Sequence, residues 1–133
     1  MPRLPVEWRF LRTAWIHACV LTGDDEAATG LVESTLDTVA ARRDPMSARR
    51  CRRLFFANLY RAGIDLPRLD GCAGGFSAFH HLEEPGRTAL VLLYLRAGPP
   101  DEIADVVGRH ERELPDILAS ARSALEKSLP VAP

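Results

Sequence analysis

Apolar residues recur three and four positions apart along most of this chain and do not settle into strict alternation with polar ones, so the pattern predicts helices and no strands. Trp8, Leu11, Trp15, Ala18 and Cys19 share one face of a first helix over about 6–21, which Thr22-Gly23 ends. A second starts near Asp24, whose side chain can accept from unsatisfied amides, with Asp25 and Glu26 in the favourable first turn. Leu31, Val32, Thr35, Leu36 and Val39 form its apolar face, and Asp44-Pro45 closes it. A third runs from Ser47 to Ala62, with Cys51, Leu54, Phe55, Leu59 and Ala62 inward, and Gly63 is read as its stop. Its other face carries Arg49, Arg50, Arg52, Arg53 and Arg61.

Residues 63–75 hold turn formers and no sustained period, which predicts a linker. Beyond it come a short helix around 76–82, one over 85–96 with Pro85 in its first turn, one over 101–107 after Pro99-Pro100, and a last over 113–129. Leu114, Ile117, Leu118, Ala121 and Leu125 form the last helix's apolar stripe. The expected fold class is therefore all-α. Two small helical modules are expected, residues 1–62 and 76–133, with 63–75 between them and residues 130–133 frayed.

Composition adds little to this picture, but the distribution of charge adds a good deal. With 47% apolar and 26% charged residues the chain is an ordinary globular sequence. No apolar run reaches bilayer length and the first residues lack a secretory layout, so a cytoplasmic protein without membrane contact is expected. Residues 1–62 carry ten arginines against seven acids, whereas residues 63–133 carry seven bases against eleven acids. The two halves have opposite polarity.

Catalytic and metal chemistry find little footing. Cys19, Cys51 and Cys72 are odd in number and widely spaced, which argues against a disulfide framework. His80-His81 with Cys72, Glu83 and Glu84 matches no standard zinc spacing. There is no nucleophile elbow, phosphate loop or His-Glu-x-x-His motif. We expect a non-enzyme with neither cofactor nor metal.

Residues 82–125 carry a resemblance. Leu92, Leu93, Tyr94 and Leu95, then Asp101-Glu102-Ile103-Ala104, Val106, Val107 and Gly108, then Leu114, Leu118, Ala121, Arg122 and Leu125 follow without a gap the helix-turn-helix pattern of region 4 in bacterial extracytoplasmic-function sigma factors. Ala104 suits a close helix crossing and Gly108 a tight turn. Residues 21–39 resemble, more faintly, the region 2 stretch Leu-x-Gly-Asp with its following helix. The resemblance implies a region 2-like bundle followed by a region 4-like helix-turn-helix.

The departures from that family point away from DNA. Where working sigma factors carry polar and acidic groups for the polymerase clamp, this chain has Ala27, Ala28, Thr29, Gly30 and Ser34, with Glu33 the retained charge. Where their reading helix presents Lys and Arg, this chain has Glu113, Pro115, Asp116, Ile117 and Ser120, which forfeit counterion release and repel phosphates. A nearer likeness is the sigma-like domain of PhyR-type general stress response regulators, similar at Leu21-Thr22-Gly23, at residues 30–36, at Arg53-Leu54-Phe55-Phe56 and at Glu113-Leu114-Pro115-Asp116-Ile117. That likeness implies capture of an anti-sigma factor by mimicry, without the receiver domain that such regulators carry.

On that reading an amphipathic partner helix lies against Leu31, Leu36, Leu54, Phe55, Leu114, Ile117 and Leu118. Simple core filling is the competing account of Phe55, Phe56 and the tryptophans. An alternative is a divergent active sigma factor that binds polymerase core and promoter DNA through Arg49, Arg50, Arg52, Arg53, Arg109 and Arg112, with Phe55, Phe56 and Tyr60 near enough to stack on bases. A solvated arginine face competes with it. A third alternative is a helical adaptor or dimer.

Overall fold

The computed structural model describes residues 8–42, 47–66, 79 and 82–128. These form six α-helices and no strand: α1 (Trp8–Thr22), α2 (Asp25–Ala40), α3 (Ala48–Gly63), α4 (Gly86–Tyr94), α5 (Pro100–Val107) and α6 (Leu114–Ser128), with a 3-10 turn at Glu111–Glu113 before α6. The fold is all-α, as expected. None of the described helices is long and apolar enough to cross a membrane. The short helix expected around 76–82, apart from Phe79 and Leu82, the tail 130–133, and Cys72, His80 and His81 lie outside the described residues.

Local chemistry sets the helix starts. An Asp24 carboxylate oxygen accepts from the Ala27 amide at 2.8 Å, and Ser47 Oγ accepts from the Arg50 amide at 3.1 Å, each satisfying a first-turn donor that the helix leaves open. Gly23 takes a left-handed φ of 73° and its amide donates to the Cys19 carbonyl, closing α1.

Gly63 has a different role from the stop expected of it. It lies inside the last turn of α3 and is buried, and a Cβ there would stand 2.7 Å from Leu21 Cδ1 and 3.1 Å from Leu31 Cδ2. It is small so that α3 can close on α1 and α2. Ala62, expected inward, is exposed, and Leu54 is half-buried. Pro85 is the N-cap residue of α4 rather than part of its first turn, and that helix ends two residues early because Arg96 turns to a φ of 53°.

Helices α1, α2 and α3 pack against one another, α6 packs on α4, and the halves meet where α5 lies on α3 and α4 touches α1. One apolar cluster runs through both halves: Phe10, Phe55 and Phe56 join Leu92, Ile103 and Val106 in it. Phe10 and Phe55 meet edge to face with centroids 5.2 Å apart. A smaller cluster of Leu82, Leu90 and Ala121 sits under α6.

Polar groups are buried in the same contact region. His17 on α1 is fully enclosed, its Nε2 is 3.2 Å from Thr88 Oγ1 on α4, and its ring stacks 6.4 Å from that of Tyr60 on α3. Burial pushes the His17 pKa down to about 3, so the imidazole is neutral at pH 7. Burial, followed by the charge of Glu84, pushes the Tyr60 phenol up to about 12.

Candidate functional site

The helix-turn-helix geometry is built by α5, its turn and α6. Pro100 opens α5, where a missing amide costs nothing, and Asp101 and Glu102 occupy its first turn. Gly108 caps it with a φ of 71°, and the Arg109 amide donates to the Ala104 carbonyl at 2.9 Å. A capping box then starts the 3-10 turn: His110 Nδ1 accepts from the Arg112 amide, and Glu113 Oε2 accepts from the His110 amide. This turn delays the α-helix to Leu114. Pro115 therefore falls in the first turn of α6, where its lack of an N–H is harmless.

The last helix has two unlike sides. Leu114 and Ala121 are buried, Ile117, Leu118 and Leu125 are half-buried, and Glu113, Asp116 and Ser120 face solvent. Between α6 and the start of α4 lies an open groove of about 500 Å³ whose lining includes Leu82, Pro85, Ile117 and Ala124 together with the exposed acids Glu83 and Asp116. The helices approach closely at its base, since a Cβ on Gly86 would stand 3.1 Å from that of Ala121.

The acids of α5 point the other way, onto the arginine face of α3. Glu102 is buried at 3% exposure and accepts from Arg49 Nε at 2.6 Å and Arg52 Nη2 at 2.9 Å. Arg49 also lies 3.7 Å from Asp101, and Arg53 pairs with Asp105. Charge-assisted bonds of this kind are strong when the acceptor is desolvated. The hydrogen bond and charge of Glu102 hold the Arg49 guanidinium above its ordinary pKa.

These positions redistribute the residues expected to bind partners. Leu31, Phe55 and Leu114 are buried in the common core, at 6%, 0% and 2% exposure, so in this conformation they hold the fold rather than meet a partner. Leu36, Leu54, Ile117 and Leu118 are half-buried on α2, α3 and α6, and Ile117 alone of them lines the groove. Of the arginines expected to meet nucleic acid, Arg49, Arg52 and Arg53 are spent on α5, whereas Arg50, Arg109 and Arg112 are exposed and belong to different elements.

Sequence reasoning missed the seam between α3 and α5 and the groove beside α6. The seam left a signal: Arg49, Arg52 and Arg53 repeat at helical spacing, as do Asp101, Glu102 and Asp105. Of the His/Cys/Glu cluster, Glu83 and Glu84 are described, and Glu84 is bonded to Arg87 Nε at 2.6 Å and the Thr88 amide at 3.0 Å. No group of three or more metal-ligating side chains occurs among the described residues. No family model, curated protein or solved structure matches the chain.

Proposed function

We propose that this chain regulates transcription as a degenerate sigma-like protein that captures an anti-sigma factor by mimicry. The observation that carries this reading is the outward side of α6 and of the turn before it, where Glu113, Asp116 and Ser120 stand at positions from which a reading helix would offer cations and donors to DNA. Carboxylates there repel the phosphate backbone and forfeit counterion release. Three of the α3 arginines that could have compensated, Arg49, Arg52 and Arg53, are bonded to α5. A helix with an apolar stripe and basic flanks fits the groove beside Ile117, with Glu83 and Asp116 to meet its charges.

The test is a pull-down with the full chain against purified polymerase core and against small anti-sigma proteins of the same cell, followed by a salt titration. Capture of an anti-sigma protein that persists from about 50 to 200 mM salt is expected, since duplex binding through several phosphates would fall by about 10³-fold or more over that range. Recovery of polymerase together with promoter-specific initiation sinks the reading and leaves the divergent sigma factor in its place.

A further inference from the structure

We propose that the cavity where α1, α3 and the end of α4 meet binds a small organic oxyanion, a phosphate or carboxylate with an apolar body. This site is separate from the groove beside α6 and does not depend on the identity of any protein partner. The cavity measures about 300 Å³ and is lined by Phe10, Phe56, Leu95 and Ala97 on the apolar side and by Arg52 and Arg96 on the polar side, with Thr13. That volume suits a single substituted ring. Its lining holds two guanidinium groups and no carboxylate.

Three independent observations point to an anion. Arg96 is the one described residue other than glycine with a positive φ, at 53°. It stands at the closing position of α4, where the Ala97 amide donates to the Leu92 carbonyl and the Arg96 amide to that of Leu93, a turn that glycine makes at less cost. A glycine follows two residues later at Gly98, so the turn position itself holds a side chain that strains the backbone. The strain has a use if the guanidinium is needed in the cavity that it lines.

The second observation is Arg52. Its Nη2 is committed to Glu102, but its Nε–H is buried without a hydrogen-bond partner. A buried donor left open costs about 1–3 kcal/mol, which a small shift of this guanidinium toward an acceptor in the cavity would recover. The third is charge: no ion pair joins Arg96 to a described residue, so two cations share one partly apolar cavity with only Arg52 offset, by Glu102. An oxyanion between them would accept from both guanidinium forks, while Phe10 and Phe56 would cover its body.

The experiment is isothermal titration of the full chain with phenyl phosphate, benzoate and inorganic phosphate at constant ionic strength, repeated on Arg96→Gly and Arg96→Lys. Phenyl phosphate or benzoate is expected to bind saturably and at least tenfold tighter than inorganic phosphate, the stronger of the two identifying the oxyanion. Arg96→Gly suits the left-handed turn and should melt no lower than the parent while losing at least tenfold in affinity; Arg96→Lys should keep part of the binding. The proposal is overturned if neither ring-bearing probe binds, if inorganic phosphate binds as well as they do, or if Arg96→Gly binds unchanged. Saturable binding of an acidic peptide with none of the small probes would likewise overturn it and turn the site over to a protein.

Discussion

Helix α5 and the stretch that leads into α6 both carry carboxylates and are close in sequence, yet those carboxylates have opposite fates. Glu102 is buried under two guanidiniums of α3, whereas Glu113 in the turn before α6 and Asp116 in its first turn are exposed to water. A carboxylate can be desolvated at tolerable cost only where cations and hydrogen bonds replace the lost water. The α5 acids therefore serve the fold by joining the two halves, and the acids around the start of α6 are left to set what the surface can bind. A charge count over residues 99–128 cannot separate these two uses, because it weighs a paired and an unpaired carboxylate alike.

The contrast can be tested by substitution, beginning with the largest effect. Leu114→Asp places an unpaired charge in the core and should cost about 4 kcal/mol or more, unfolding the chain in urea titrations. The half-buried Ile117→Asp should cost only about 1 kcal/mol and act instead on partner capture. Equal losses at the two positions would mean that α6 has no distinct outer side.

Glu102→Ala should cost about 3 kcal/mol in chemical denaturation, toward the lower end for a broken buried pair because Arg49 retains 62% side-chain exposure and can rehydrate. A loss below about 1 kcal/mol would show the seam to be held by its apolar contacts alone.

Acid should attack the junction between the halves through His17. Its folded pKa of about 3 lies below the unfolded 6.5, so the unfolded state binds the proton first and stability falls as pH drops below 6.5. The slope is about 1.4 kcal/mol per pH unit until the folded value is approached. Thermal melts between pH 7 and 5 should show a loss of about 2 kcal/mol, and His17→Leu should remove most of that pH dependence. A parent melt that is flat over this range would contradict the burial of a neutral imidazole.

Asp105→Asn breaks an ion pair whose side chains are both nearly half exposed and should cost about 0.5 kcal/mol at most. The double change Glu113→Gln, Asp116→Lys removes two exposed negative charges, and the new Gln can still accept from the His110 amide as Glu113 does. It should leave the melting temperature within about 2 °C, weaken capture of a basic partner helix and raise non-specific DNA binding. Unchanged binding of both would remove these acids from any role in partner choice.

Much of the secondary structure was readable because its causes are local. Asp24 and Ser47 cap the helices that follow them and Gly108 makes the turn before the last helix, each through atoms within a few residues of its own backbone. Gly63 was misread for the converse reason. A glycine near a helix end has the same sequence signature whether it stops the helix or makes room, and only the distance to Leu21 and Leu31 separates the two. The candidate site was less legible still. An apolar stripe marks Leu114 and Ile117 alike, and the neighbours that bury one and half-expose the other come from distant segments.

The chain's own pattern was enough to place the six described helices to within a few residues, the starts at Asp24 and Ser47 and the tight turn before α6, which follow from backbone hydrogen bonding and the 3.6-residue period, and to show the opposite polarity of the two halves. Tertiary packing alone decided that the halves spend much of that polarity on each other, that Leu31, Phe55 and Leu114 are core, that His17 is held neutral and that Arg52 and Arg96 line one cavity. Burial and charge pairing depend on which residues far apart in the chain share a space, and a linear pattern carries no distance between them.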